Sequence, residues 1–426
     1  MGRRIVGLVD SDSFVKWGAA LLDSLPADWD LSLVVVSSAL TASSRQFRDA
    51  VAGTRFATSS IRSLSVAEIL RDDEIARADA VVVACRGPVA EVLLHAFSAW
   101  GRRRPVLVSG LPGISIPAKW KGIFYRAQSD LFVLHSHREI GAYRALAADN
   151  AVTVEFVLAT LPFVTQVKAV TRASARPDSI VFAAQSIVPR EHDDRQRIAD
   201  LLTRLALEHP EFRIVLKVRA LPGEQQTHNE ADPLPDLLPR NAPANLVVEA
   251  GSMRKHLERA AGFVTVSSTA VLEAAALNIP CIVLDDFGVG PQLINEVFEG
   301  SGLFGSSSDL LALRFREIDP PWLVANYAHP ATDNTFVPRL EALLAARDAG
   351  TLGARPPARR SRGGLLRRAW DRRQALGRYD SSMLGLVAFV IGWPVFAVKR
   401  ARRARYAATR EDAMRDEVVR ETAAVG

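Results

Sequence analysis

Residues 261–284 read Ala261-Gly-Phe-Val-Thr-Val-Ser-Ser-Thr-Ala-Val-Leu-Glu-Ala-Ala-Ala-Leu-Asn-Ile-Pro-Cys-Ile-Val-Leu284. An apolar strand from Gly262 to Val266 precedes a polar turn and a helix, and a second apolar strand follows from Cys281 to Leu284. A strand, a crossover helix and a second strand make a βαβ unit, the repeating element of doubly wound sheets. The segment therefore predicts an α/β fold with parallel strands.

Three polar residues, Ser267, Ser268 and Thr269, fall where this first strand ends and the helix begins. Backbone N–H groups and hydroxyls converge there on the positive end of the helix dipole, which favours an anion such as phosphate. All three residues are also common helix caps, so simple capping is the alternative. Glu273 follows four residues after Thr269 and is expected to face the same crevice. We predict that these four residues bind an activated donor.

This block resembles a signature of GT-B transferases that use cytidine-activated donors, in which Ser-Ser-Thr is followed by Glu-Ala and by Gly-x-Pro. Those families include the Kdo and sialic acid transferases of capsule synthesis and the CDP-glycerol glycerophosphotransferases. The chain departs from the signature at Asn278, where Gly is usual. The resemblance implies a GT-B-like α/β fold of two Rossmann-type domains that face a cleft, with the donor nucleotide bound by the second domain.

A wider resemblance, over residues 1 to 350, is to a group of actinobacterial glycosyltransferases. It is carried by Asp10-Ser-Asp, by Lys217-Val-Arg and by the Ser-Ser-Thr block. This similarity implies transfer of a sugar, or a related group, from a nucleotide-activated donor.

Length and composition favour two domains with an appendage, because 426 residues exceed one typical domain and 48% of them are hydrophobic. Only two cysteines occur, Cys85 and Cys281, which excludes a disulfide framework and favours a reducing compartment. The net charge is +6, but the segment from Arg355 to Arg410 carries +13, which leaves about −7 on the rest. An acidic body argues against nucleic acid as the main ligand.

The first predicted strand, Ile5 to Val9, starts too near the N-terminus to leave room for a signal peptide, so we expect a cytoplasmic protein. Asp10 ends this strand, and Asp12 and Lys16 follow. Ligands of open parallel sheets lie outside the carboxyl ends of the strands, so these side chains are expected to face the central cleft. Helix capping by Asp12 is the alternative. We predict Asp12, ahead of Asp10, as the base that deprotonates the acceptor hydroxyl.

Further apolar runs, separated by helical stretches, predict a doubly wound parallel sheet for the first domain. The runs are Leu31 to Val36, Ala80 to Ala84, Val106 to Val108, Leu131 to Leu134 and Val152 to Leu158. The segment from Gly110 to Pro117 is either a substrate-binding loop or an ordinary turn. His135 comes directly after a strand and is a further candidate proton acceptor, with a solvated helix start as the alternative. No additional ligands accompany His135 and His137, so we predict no metal site.

A polar segment from Arg172 to Asp178 predicts the boundary between domains of residues 1–172 and 173–350. The strand from Ser179 to Ala184 then leads to Gln185, which its position assigns to the donor site. Helices are expected from Arg195 to Glu208 and from Met253 to Ala260, and further strands from Phe212 to Val218 and from Leu246 to Val248.

Lys217 and Arg219 lie at the end of the second of these strands. In the cytidine-donor families, the corresponding place carries a Lys-x-His-Pro motif whose His contacts the nucleotide phosphate. Lys217 and Arg219 match its basic positions, but no His-Pro follows. Arg219 is therefore expected to replace the imidazole as a bidentate phosphate ligand.

The region 351–426 consists of a basic linker, an apolar segment at residues 381–398 and a polar tail. Eighteen helical residues span about 27 Å, slightly less than the roughly 30 Å hydrocarbon core of a bilayer. Basic residues flank the segment on both sides, and both flanks favour the anionic, cytoplasmic face of a membrane. We predict a peripheral or monotopic, re-entrant attachment to the inner face of the cell membrane, ahead of a straight span of the bilayer, and a helix packed on the domains is a further alternative.

These features together predict a glycosyltransferase without metal or cofactor that moves a sugar from a nucleotide-activated donor to a membrane-proximal cell-envelope glycan or lipid-linked acceptor. The Ser-Ser-Thr turn, with Lys217 and Arg219, is expected to stabilise the departing phosphate. Three alternatives remain open: a nucleotide-sugar 2-epimerase, a polyol-phosphate transferase with a CDP-activated donor, and a non-catalytic module that binds nucleotide without turnover.

Overall fold

The computed structural model describes residues 2–38, 41–101, 104–161, 177–185, 188–218, 232–355, 364–394, 396 and 398. The chain forms two compact units, Met1–Ala358 and Arg359–Gly426. Within the first unit lie two parallel β-sheets with helices between their strands. The predicted pair of parallel-sheet α/β domains is thus confirmed.

Seven parallel strands form the first sheet. They are β1 (Arg4–Val9), β2 (Asp30–Val36), β3 (Arg62–Leu64), β4 (Ala80–Ala84), β5 (Val106–Gly110), β6 (Leu131–Leu134) and β7 (Glu155–Leu158). Their order is β3-β2-β1-β4-β5-β6-β7, so the order reverses between β1 and β4, where ligand crevices form in sheets of this kind. All side chains of β4 and β6 are buried and apolar, as expected for strands covered on both faces.

Seven helices lie between β1 and β7 in the part of the chain that the structure describes. They are α1 (Asp12–Asp23), α2 (Ser44–Val51), α3 (Val66–Ile69), α4 (Asp73–Ala76), α5 (Gly87–Ser98), α6 (Trp120–Phe124) and α7 (His137–Asp149). In α1, Phe14, Trp17 and Leu21 follow one another at three- and four-residue spacing and are all buried, which explains how the helix is held on the sheet.

The second sheet is smaller, with six parallel strands. They are β8 (Ser179–Ala183), β9 (Arg213–Lys217), β10 (Leu246–Glu249), β11 (Ala260–Thr265), β12 (Cys281–Leu284) and β13 (Phe304–Gly305), in the order β10-β9-β8-β11-β12-β13. The helices of this domain are α8 (His192–Glu208), α9 (Leu234–Leu237), α10 (Met253–Leu257), α11 (Ala270–Ala276), α12 (Ser307–Leu311) and α13 (Pro320–Asn326). The predicted βαβ unit is confirmed as β11, α11 and β12.

Predicted and observed strands agree to the residue for β4, β6 and β12. The predicted helix from Met253 to Ala260 is wrong at its end, because α10 stops at Leu257 and β11 begins at Ala260. The edge strands β3 and β13 were not predicted, since they have only three and two residues and no apolar run. Both cysteines are buried and unpaired.

The helix α14 (Phe336–Asp348) follows the second domain in sequence but packs on the first sheet, against β5, β6 and β7. Phe336, Leu340 and Leu344 lie at four-residue spacing, are buried, and belong to the hydrophobic core of the first domain. A single apolar stripe therefore decides which domain this helix joins.

Hydrogen bonds at the start of α14 fix the same placement. The backbone N–H of Thr335 donates to Leu158 O at 3.0 Å, and Thr335 Oγ1 accepts from Leu158 N at 2.9 Å. The predicted second domain, residues 173–350, is thus too long at its C-terminal end. The predicted boundary near residue 172 lies outside the described residues.

In the second unit, α15 (Gly364–Leu376) and the helical residues 383–394 contact each other through aromatic rings. Trp370 stacks on Phe389 with ring centroids 5.7 Å apart. Asp380 lies between the two helices in sequence and accepts a hydrogen bond from Arg372 Nε at 3.0 Å. Across the part of the chain that the structure describes, no helix combines the length and the hydropathy needed to cross a membrane.

Several large apolar side chains of the residues 383–394 are exposed. They are Met383, Leu384, Leu386, Val387, Val390, Ile391 and Trp393. Part of the predicted apolar segment is thus turned away from the aromatic contact with α15.

Candidate functional site

An ion pair joins the two domains at the carboxyl ends of their central strands. Lys16 Nζ, on α1 after β1, lies 2.8 Å from Glu273 Oε1, on α11 after β11. Glu273 is buried, whereas Lys16 is 38% exposed. The structure thus brings together Lys16, which is expected at the central cleft, and Glu273, which is expected at the crevice of the Ser-Ser-Thr turn.

The Ser-Ser-Thr turn makes more internal hydrogen bonds than its sequence suggests. Ser267 Oγ donates to Ile294 O at 2.7 Å, so its proton is already used. Ser268 Oγ accepts from Ala270 N at 3.3 Å, which leaves the proton of this hydroxyl available to another acceptor. The amides of Val271 and Leu272 bond to carbonyls of the turn. The expected convergence of several open N–H groups at this helix start is therefore not observed.

Thr269 completes the turn and faces the first domain. Its side chain makes no cap hydrogen bond to α11. A Cβ added at Gly113 would lie only 3.1 Å from Thr269 Cγ2 and 3.3 Å from its Oγ1, so the loop after β5 approaches the turn closely. Gly113 also has a φ of +82°, which suits glycine and strains other residues. The predicted loop from Gly110 to Pro117 therefore lies at the cleft beside the candidate donor turn.

Asp10 is fully buried and paired. Its Oδ2 accepts from Arg86 Nε at 2.9 Å, and its Oδ1 accepts from Ser11 N at 2.7 Å. Burial raises the pKa of the Asp10 carboxyl, and the charge of Arg86 opposes this rise. Arg86 in turn donates to Ser38 Oγ at 3.0 Å. This closed network favours a structural role for Asp10 over the predicted proton-accepting role.

Asp12 has a different environment. It is the first residue of α1 and is exposed. It lies four residues before Lys16, so both residues are on the same face of the helix. Of the two carboxylates in the first loop, Asp12 is therefore the one that an acceptor can reach beside the Lys16–Glu273 pair.

Both ring nitrogens of His135 are engaged inside the protein. Trp17 Nε1 donates to His135 Nε2 at 2.8 Å, and His135 Nδ1 lies 2.8 Å from Ala159 O, to which it donates. Burial lowers the pKa of the ring to about 4. The expectation that His135 accepts a proton from substrate is thus corrected, because the one lone pair of its neutral ring already faces Trp17.

Glu139 is a buried carboxylate to which sequence reasoning gave no role. Its oxygens accept from Ser115 N at 2.7 Å, from His135 N at 2.9 Å and from Tyr327 Oη at 3.0 Å. Burial raises the pKa of Glu139 to about 7, and these hydrogen bonds partly oppose the rise. The only sequence signal was an acidic residue in the first turn of a helix, which Ser136 caps through the Glu139 N–H.

Two further predicted donor residues lie at strand ends of the second sheet. Gln185 follows β8, and its Nε2 donates to Ser267 O at 3.1 Å, which ties it to the Ser-Ser-Thr turn. Lys217 ends β9, is 9% exposed, and donates from Nζ to Val218 O at 2.8 Å. Arg219 lies outside the described residues. Within the described ranges, no group of three or more His, Cys, Asp or Glu side chains is placed to hold a metal ion.

Sequence comparison connects the body of the chain with one family. The sequence model of the family described as "Putative glycosyltransferase (DUF6716)" matches residues 5–343. No curated protein matches the chain.

Solved structures with a similar fold include three proteins of low sequence identity. MnaA of S. aureus, solved with UDP, has a TM-score of 0.54 and 11% identity, with 83% of this chain and 99% of that chain covered. A putative UDP-N-acetylglucosamine 2-epimerase from Listeria monocytogenes has a TM-score of 0.53 and 12% identity over 82% and 97% of the chains. The Methanocaldococcus jannaschii UDP-GlcNAc 2-epimerase, in complex with UDP-GlcNAc and UDP, has a TM-score of 0.51 and 10% identity, with 80% of this chain and 99% of that chain covered. These likenesses show that the body has a GT-B-like fold.

Proposed function

Because the chain belongs to the family described as "Putative glycosyltransferase (DUF6716)", we propose that it transfers a sugar from a nucleotide-activated donor to a cell-envelope glycan or lipid-linked acceptor. The observation that carries this proposal is the Lys16–Glu273 ion pair, which sets the ends of the two sheets opposite each other. A donor on the second domain and an acceptor on the first would meet in the cleft between them.

The donor phosphate is proposed to bind at Ser268 and Thr269, with Lys217 and Arg219 as the cations. Ser268 retains a hydroxyl proton to donate, and Thr269 is not used as a cap. Hydrogen bonds and positive charge at this point stabilise the leaving phosphate as its negative charge develops, and the scheme includes no metal. Two of the similar structures hold UDP or UDP-GlcNAc, so uridine donors belong beside cytidine donors in any binding panel.

We expect Ser268→Ala combined with Thr269→Ala to weaken nucleotide binding by about 1 to 3 kcal/mol, the range for hydrogen bonds to a charged group. Calorimetric titration with CMP-, CDP-, UDP- and GDP-linked donors measures the loss. The matched control is Ser306→Ala combined with Ser308→Ala, which removes two hydroxyls at the start of α12 in the same domain. Equal affinity of the donor-turn variant and the wild-type protein would disprove this assignment.

The acceptor hydroxyl is proposed to lose its proton to Asp12, which is exposed on the cleft side of α1. Turnover in the presence and absence of acceptor separates the functional classes. A transferase consumes donor only with an acceptor, a 2-epimerase converts the donor alone, and a polyol-phosphate transferase requires a CDP-linked polyol. A binding module shows affinity and no turnover.

The second unit is proposed to attach the protein to the inner face of the cell membrane. It combines exposed apolar side chains on the residues 383–394 with Arg367, Arg368, Arg372, Arg373 and Arg378. Apolar burial and attraction to anionic lipid headgroups act together in such segments. This attachment would bring the cleft near a lipid-linked acceptor.

A further inference from the structure

We propose that Glu139 and Tyr327 form an interdomain latch that positions the loop 110–117 against the donor turn. The proposal names positioning residues, since neither side chain is placed to touch substrate. It rests on the proposed function only where the donor turn is concerned, because the contacts of the latch are independent of what the cleft binds.

The latch joins three parts of the body at one carboxylate. Glu139 belongs to α7 of the first domain, and Tyr327 directly follows α13 of the second. Glu139 Oε1 accepts both from Tyr327 Oη at 3.0 Å and from the backbone N–H of Ser115 at 2.7 Å. One oxygen atom thus holds the second domain and the loop at the same time.

The loop 110–117 carries this constraint to the donor turn. Ser115 lies two residues after Gly113, at which an added Cβ would lie only 3.1 Å from Thr269 Cγ2. Ile116 is buried in a hydrophobic cluster made largely of second-domain residues, including Val271 of α11 and Tyr327 itself. The loop therefore belongs to the first sheet by sequence and to the second domain by packing. Any loss of the Glu139 contact frees the segment that borders Thr269.

The surroundings of Glu139 are mostly hydrogen-bond donors. The titratable groups that face it are His135 after β6, Tyr143 on α7 and Tyr327 after α13, and the charge of Arg138 on α7 acts on Tyr327. His135 is neutral, since burial lowers its pKa to about 4. The loop 110–117 contains no titratable residue.

The ionised form of Glu139 suits these partners. A carboxylate only accepts hydrogen bonds, and Ser115 N, His135 N and Tyr327 Oη all donate to it. A protonated carboxyl carries a proton of its own, which would face hydrogen-bond donors and find no acceptor among these three groups. Burial raises the pKa of Glu139 to about 7, so the complete latch forms above that pH.

The free energy of unfolding changes with pH in the direction opposite to the formation of the latch. The pKa of Glu139 is raised in the folded protein, so its contribution to the free energy of unfolding falls as the pH rises toward about 7. A latch that tightens over the same pH range is therefore distinguishable from a group that only stabilises the fold.

The test is hydrogen–deuterium exchange of residues 110–117 in the full chain, at one pH below and one above about 7. We expect Tyr327→Phe to lower the protection of this loop by about tenfold or more, the scale of one hydrogen bond to a charged group. The matched control is Tyr143→Phe. It removes the hydroxyl of another buried tyrosine, whose Oη accepts from Lys119 N at 3.5 Å within the first domain.

A second variant, Glu139→Asp, keeps the charge and shortens the side chain, so the carboxylate no longer reaches both donors. We expect the same loss of loop protection. Since the Tyr327 hydroxyl lowers the pKa of Glu139, Tyr327→Phe should also move the acidic limb of the pH–turnover profile to higher pH. A merely structural change would lower activity without moving this limb.

Unchanged loop protection in both Tyr327→Phe and Glu139→Asp would overturn the latch, as would an equal loss in Tyr143→Phe. If no donor is turned over, the proposed transferase function is disproved. Hydrogen–deuterium exchange of residues 110–117 in the same samples still tests the latch. If donor is turned over and the exchange of residues 110–117 is unchanged in the variants, the latch is disproved and the transferase function is not.

Discussion

Asp12→Asn is expected to lower kcat by roughly 10²-fold or more while donor affinity stays unchanged. The amide keeps the shape of the side chain and cannot take a proton from the acceptor hydroxyl. Asp12 is exposed at the carboxyl end of β1 and shares a helix face with Lys16, whose ion pair crosses the cleft. Donor turnover with saturating acceptor measures the effect, and calorimetry checks donor binding.

Asp23→Asn is the matched control, because Asp23 ends the same helix and pairs with Arg55 away from the cleft. It should retain wild-type kcat. Asp10→Asn should instead lower the melting temperature, since it weakens the buried pair with Arg86. If Asp12→Asn keeps most of its activity, the base lies elsewhere and the proposed role of Asp12 is lost.

Removal of the second unit is expected to abolish attachment to anionic vesicles. A chain ending at Ala358 retains Arg355, whose guanidinium donates to Thr153 O at 2.9 Å in the body. This truncated chain should keep its nucleotide affinity and stay in the supernatant when vesicles are sedimented. The full chain should sediment with them and resist washing with high salt, because salt screens charge and does not remove apolar burial.

Val390→Asp combined with Ile391→Asp separates the two contributions in the full chain. These side chains are 64% and 61% exposed, so the fold tolerates the change. The variant should still sediment at low salt through its arginines and should be released by high salt. If the chain ending at Ala358 sediments as well as the full chain, the membrane contact lies in the body.

Buried parallel strands were the most predictable part of the fold. β4, β6 and β12 are continuous apolar runs because both of their faces are buried under helices. β3 is held by backbone pairing with β2 at the sheet edge, and its sequence Arg62-Ser-Leu64 carries no such signal. Short edge strands depend on their neighbours more than on their own side chains.

The site was predictable in its position and not in its hydrogen bonds. Strand ends placed Lys16 and Glu273 at one crevice, because ligands and polar side chains collect at that edge of a parallel sheet. The partners that bury His135 and Glu139 lie 118 and 188 residues away in sequence, at Trp17 and Tyr327. Neither spacing nor composition encodes such contacts. The local sequence therefore does not distinguish a histidine that faces the cleft from one that is buried in the structure.

The placement of α14 bears on how this protein can be recombined with its relatives. The first domain consists of two separate stretches of chain, one through β7 and one from Thr335 through α14. A chimaera that exchanged residues 1–161 alone would present Phe336, Leu340 and Leu344 to a foreign sheet. The first domain can therefore be transplanted as a folded module only when both stretches are exchanged together, with the intervening second domain left in place.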